Sequence, residues 1–152
     1  MKKIEFFALA LILAGAPGFG YEEIMHRVKE SECRNDIFLL GYVSEERKYL
    51  LYQHAAAFIF LPLYEGFGLP LLEAQYFGIP VIASNLSSLP EIAGEGALLI
   101  DPHDVRLVAA SIANVISDKK MRGYMVKKGY ENLKRFSWEK SAKETLDILL
   151  TV

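Results

Sequence analysis

Two carboxylates, Glu65 and Glu73, flank the seven residues Gly66-Phe67-Gly68-Leu69-Pro70-Leu71-Leu72. Two glycines and a proline in that stretch mark a turn running into a helix start. An apolar run over residues 56–61 precedes it and reads as a buried strand. A strand–turn–helix junction aims backbone N–H groups and the positive helix end at whatever lies above it. That suits a phosphate. Gly66 and Gly68 permit close approach of a diphosphate, and Pro70 costs no hydrogen bond in the first helical turn. The carboxylates remain to accept hydrogen bonds from hydroxyls. Each acid alone also has an ordinary reading. Glu73, expected in the first helical turn, complements the helix dipole, and Glu65 is a solvated loop charge.

The elements that must position these groups follow from the apolar pattern. Residues 9–14, 37–40, 57–61, 81–83 and 97–100 are short runs rich in Ile, Leu, Val or Phe, with almost no polar interruption. Such strands are expected in a parallel sheet covered on both faces. The segments between them carry helix signals. Ser44 is placed as an N-cap with Glu45 and Glu46 in the first turn, followed by Leu50, Leu51 and His54 at helical spacing. Asp104 opens a helix containing Val105, Val108, Ala109, Ile112 and Ile116. Ser84, Ser87 and Ser88 lie near a helix start at Leu89-Pro90-Glu91, with capping as their expected role. After Asp118 no strand pattern remains. A basic helix spans 119–134, and Ser137 caps a last one reaching residue 150. The alternation predicts an α/β fold, a doubly wound parallel sheet with Rossmann-like topology. Residues 1–152 read as a single domain, with the last helices over 118–152.

The junction and its surroundings resemble a known family. Glu65, Gly66-Phe67-Gly68-Leu69-Pro70 and Glu73 match the donor-site motif of GT-B glycosyltransferases of family 4 (group 1). Gly78-Ile79-Pro80-Val81-Ile82-Ala83-Ser84 resembles that family's next strand. Leu89-Pro90-Glu91-Ile92 and Gly96-Ala97-Leu98-Leu99-Ile100-Asp101-Pro102 continue the match, and Phe136-Ser137-Trp138 resembles the lead-in to its C-terminal helix. The resemblance runs over residues 8–150. It implies the C-terminal, nucleotide-sugar-binding domain of a retaining hexosyltransferase that needs no metal. Carried over by position, Glu65 contacts the transferred sugar as the catalytic residue, and Glu73 holds the ribose. Gly66, Phe67, Gly68 and Leu69 line the donor diphosphate. Tyr42 and Val43, in the loop after residues 37–40, meet the base. An ordinary strand-to-helix turn is the rival reading for Tyr42. The donor is a GDP- or UDP-linked sugar, with mannose suggested by Ser87-Ser88-Leu89-Pro90-Glu91, and the acceptor is a glycan or lipid-linked sugar.

Composition bounds the rest. The chain has 152 residues, enough for a real core. Its net charge of −2 gives no bulk attraction to nucleic acid, so none is expected as a partner. The single cysteine, Cys33, cannot form an internal disulfide, fits a reducing compartment and reads as a packed helix residue. His26, His54 and His103 are scattered, without metal-ligand spacing. The expected location is cytoplasmic. The basic helix admits a peripheral place at the inner face of the membrane, against the plainer reading of a solvated helix face.

Two readings fit the N-terminus. Lys2 and Lys3, an apolar run over 4–13 and Ala14-Gly15-Ala16 have the shape of a secretory signal. Alternatively residues 9–14 are a core strand, followed by a turn with Gly15, Gly18 and Gly20 and a helix from Tyr21. The resemblance favours the strand. Gly15 to Gly20 lacks the spacing of a dinucleotide fingerprint. The family's donor domain opens with a further strand, which is not matched here, and the family has a second, acceptor-binding domain. The expected consequences are direct pairing of residues 9–14 with 57–61, or self-association through exposed edges. Two other functions compete: a nucleotide- or partner-binding module without turnover, and a related sugar-nucleotide epimerase, which the paired glutamates disfavour.

Overall fold

Short apolar runs and helices alternate along residues 9–151, the part that the computed structural model describes. Lys2, Lys3 and the start of the signal-like run lie outside these residues. The described chain gathers into two compact units, with the boundary inside one helix between Tyr49 and Leu50.

The first unit holds β1 (Leu11–Ala14), α1 (Tyr21–Glu30) and β2 (Ile37–Gly41). β1 and β2 pair in parallel from Leu11↔Ile37 to Ala14↔Gly41, with an irregularity after Leu13. Gly15 extends the ladder by donating to the Gly41 carbonyl at 2.8 Å. Parallel neighbours need a crossover, and α1 supplies it. Residues 9–14 thus pair with β2 along one edge. β1 is also less covered than a two-faced sheet predicts, with Leu11 and Ile12 exposed. The helix between the two strands, α1, buries no residue among those described. Cys33 is exposed in the turn before a 3-10 segment (Arg34–Asp36), not packed in a helix.

Helix α2 (Glu45–His54) carries the chain into the second unit. There follow β3 (Phe58–Phe60), α3 (Leu69–Tyr76), β4 (Val81–Ser84), α4 (Leu89–Ala93), β5 (Ala97–Ile100), α5 (Val105–Ser117), α6 (Lys119–Leu133) and α7 (Trp138–Thr151). The sheet is parallel in the order β3-β4-β5. All strand pairs in both sheets are parallel, as an α/β fold of Rossmann-like topology requires.

β4 is buried along its whole length because alternate residues feed two cores. Val81 and Ala83 join Leu71, Ala74, Leu89 and Ile92 on one face. Ile82 packs with Ile100, Val115 and Met125 on the other. At α2 the buried position is Tyr52, while Leu50 of the predicted apolar stripe is exposed.

A polar network locks α6 onto this core. Buried Asn132 donates to Gln75 Oε1 at 2.9 Å and to the Ile92 carbonyl at 2.8 Å. Gln75 donates to the Ala93 carbonyl at 3.2 Å. Gly96 and Gly129 meet so closely that a Cβ on Gly96 would stand 2.7 Å from the Gly129 Cα.

Side chains cap the last helices, Asp104 as its sequence predicts and Asp118 in addition. Asp104 accepts from the Leu107 N–H at 2.9 Å. Asp118 accepts from Lys120 and Met121 at 2.8 and 3.0 Å, and Arg122 donates to the Val115 and Ile116 carbonyls that end α5. The N–H of Met121, then that of Lys120 with the nearby positive charges, holds the Asp118 carboxyl below the usual range. A lowered carboxyl stabilises the fold above the ordinary pKa of about 4 and loses that contribution as pH falls through the native value. Asp118→Ala is therefore expected to lower the melting temperature at pH 7. The gap to the unaltered chain should close as pH drops below about 4, as melts across pH would record. Among the described residues no helix is long and apolar enough to cross a membrane.

Candidate functional site

The loop after β3 and the loop after β4 leave the carboxyl ends of adjacent parallel strands, the end at which open α/β sheets hold ligands. Residues 61–68 form the first loop. It ends at Gly68, which caps α3 with φ 104°. A Cβ there would stand 2.6 Å from the Cδ2 of fully buried Leu89. Only glycine satisfies both the backbone and the packing. Leu69 and Pro70 then open the helix; Pro70 has no N–H to satisfy, and Leu71 donates to the Gly68 carbonyl at 3.0 Å.

The second loop pins the first. Ser87 Oγ donates to the Glu65 carbonyl at 2.7 Å and accepts from the Glu65 N–H at 3.3 Å. Ser88 Oγ lies 2.9 Å from the Glu65 carbonyl and 3.1 Å from that of Phe67. Both serines were expected to cap α4. Neither makes a side-chain cap; Ser87 takes φ 58° and Ser88 is helical at the N-cap. Their hydroxyls hold the neighbouring loop because adjacent parallel strands deliver both loops to one sheet end. Ser84 accepts from the Leu86 N–H at 3.2 Å within its own turn.

The side chains sort by exposure. Glu65 and Glu73 are half-buried, and Gly66 and Leu69 are exposed. Phe67 packs edge-on against Phe136 with centroids 5.9 Å apart, so its ring anchors the loop. Leu63 and Tyr64 project into solvent from the same loop. Glu73 stands in the second turn of α3, not the first, because the helix begins at Leu69. It is therefore no dipole complement, which lies in the first turn. Tyr52 reaches it from α2, its hydroxyl 3.1 Å from Glu73 Oε2 and 3.4 Å from the Pro70 carbonyl.

The second unit thus holds Glu65, Gly66, Phe67, Gly68, Leu69 and Glu73 on one loop and helix. Tyr42 and Val43 belong to the first unit, just past the end of β2, with Tyr42 79% exposed and Val43 half-buried. An apolar groove between Phe19, Ile24, Val28 and Ile37 in the first unit contains none of the predicted residues. Among the described residues, no group of three or more His, Cys, Asp or Glu is arranged to hold a metal. Sequence reasoning missed the loop-pinning bonds of Ser87 and Ser88 and the contact of Tyr52. Serines near a helix start give a capping signal, and a helical tyrosine gives none for its partner.

The chain matches the family model described as "Glycosyl transferases group 1" over residues 2–132. It is 38% identical over 137 residues to the O-antigen chain mannosyltransferase B of Escherichia coli, covering 90% of this chain and 36% of that protein. The chain therefore spans little more than a third of that curated relative. Among solved structures, the sucrose-phosphate synthase of Thermosynechococcus elongatus superposes with a TM-score of 0.80 at 26% identity, over 93% of this chain and 38% of the other. Anabaena HepE, solved with UDP and glucose, superposes with a TM-score of 0.80 at 20% identity, over 94% and 41%.

Proposed function

The chain belongs to the glycosyl transferases group 1 family, and from that premise we propose that it is the donor-binding, C-terminal half of a retaining GT-B glycosyltransferase of family 4. One observation carries this reading: the loop between Glu65 and Glu73 is held rigid by Ser87, Ser88 and Gly68, at the start of α3 and the carboxyl end of the sheet. A pinned loop with backbone donors at a helix start is preorganised for a diphosphate leaving group.

The N–H groups of residues 66–69 and the positive end of α3 take the diphosphate charge, which supplies leaving-group stabilisation without a metal. Glu73, one turn further along, accepts from the ribose hydroxyls. Glu65, in the loop itself, accepts from the hydroxyls of the sugar to be transferred. For Tyr42 and Val43 the proposed contact is the base, read from the family pattern alone. The Escherichia coli relative supports mannose as the sugar and a polysaccharide or lipid-linked acceptor. Because the chain spans 36% of that relative, sugar transfer is proposed for an enzyme containing these residues, and binding for the residues alone.

Titration with GDP, UDP and ADP, followed by amide NMR, tests the reading. One of them is expected to bind with a dissociation constant of about 1 mM, weak because much of a GT-B cleft is contributed elsewhere. The largest shifts should fall on Gly66, Gly68, Leu69 and Glu73. No shift with any of the three at several times that concentration would refute donor binding.

A further inference from the structure

Tyr52 is held more firmly than a helix surface tyrosine. It is 7% exposed, its ring is stacked on Phe77 at 5.5 Å and 21°, and it meets Phe58 edge-on at 5.4 Å and 73°. These contacts fix where its hydroxyl points. The phenol proton lies within reach of Glu73 Oε2 at 3.1 Å and of the Pro70 carbonyl at 3.4 Å. The carboxylate is the closer and, being charged, the stronger acceptor, so the proton goes to it. A carboxylate has about four lone-pair sites, so this bond fixes its torsion without exhausting its capacity.

We infer that Tyr52 is a positioning residue for Glu73, orienting its carboxylate toward the ribose hydroxyls of a bound nucleotide and so favouring ribonucleotides over deoxy analogues. The inference rests on the proposed role of Glu73 at the ribose. Freely rotating, a Glu side chain must lose rotamer freedom when ligand binds; one already held loses less. Tyr52 thus contributes its rigidity to the half-buried acid.

The test compares the unaltered chain, Tyr52→Phe and Glu73→Ala. Each is titrated by NMR with the nucleoside diphosphate that binds best among GDP, UDP and ADP, and with its 2′,3′-dideoxy form. Tyr52→Phe keeps the stacked rings, and matching melting curves and amide spectra establish that it folds. It is expected to weaken the ribonucleotide about fivefold and the dideoxy form by less than about twofold. A purely structural role would weaken both equally, and that result, or no change in either, overturns the inference. If Glu73→Ala also fails to distinguish the two ligands, the ribose role of Glu73 falls and the inference with it. If Glu73→Ala distinguishes them and Tyr52→Phe does not, only the positioning role falls.

Discussion

Replacing Glu73 with alanine is expected to weaken nucleoside diphosphate binding by about 1–3 kcal/mol, roughly fivefold to over a hundredfold, whereas Glu65→Ala leaves it unchanged. The difference follows from where the two acids sit. Glu73 is on α3, one turn beyond the N-terminus, with Tyr52 at its carboxylate. Glu65 is in the loop, where Ser87 and Ser88 hold its backbone, and its carboxylate has the proposed contact with the sugar. A nucleotide sugar should therefore report on both acids, and a plain diphosphate on Glu73 alone. NMR titration of each variant with both ligands separates the roles. Equal losses on the plain diphosphate would contradict the division. Glu73→Gln, which keeps shape and an acceptor, is expected to lose less than Glu73→Ala.

Gly68→Ala is expected to cost about 2–4 kcal/mol of stability and to abolish measurable nucleotide binding. Two effects add. At φ 104° an alanine is strained, and its methyl would meet Leu89 Cδ2 at 2.6 Å. Leu89 is fully buried in the core of α3, β4 and α4, so it cannot swing aside. Relief must come from moving the loop that carries Glu65 or the helix that carries Glu73. Gly66→Ala is the internal control. Gly66 has no positive φ, and a Cβ there meets nothing within 4 Å, so its stability should change by less than about 0.5 kcal/mol. Urea unfolding of the two variants gives the comparison. A Gly68→Ala protein as stable as Gly66→Ala would show that the loop is slack.

Much of this protein was legible in its sequence because the signals are local. Apolar runs at residues 37–40, 81–83 and 97–100 became β2, β4 and β5, and Asp104 caps its helix through a following N–H group. The α/β class and the glycine-proline turn before α3 needed nothing beyond residue type and spacing. Strand ends were less clear: residues 57–61 shrink to Phe58–Phe60, since the flanking residues lack a ladder partner although they are apolar. Glu73 falls in the second turn of α3 because the helix already begins at Leu69, one residue before the proline that marks its start.

Sequence alone therefore determined which segments form strands and helices, since propensity, capping and glycine turns act over a few residues. Tertiary structure alone decided what holds them. Ser87 and Ser88 were free to cap their own helix, and bond the Glu65 loop because adjacent parallel strands bring two loops to one sheet end. Tyr52 meets Glu73 because β3 and the loop after it return the chain from α2 to α3. Hydrogen bonds between residues twenty or more positions apart leave no periodicity in a sequence, and only the packed fold assigns their partners.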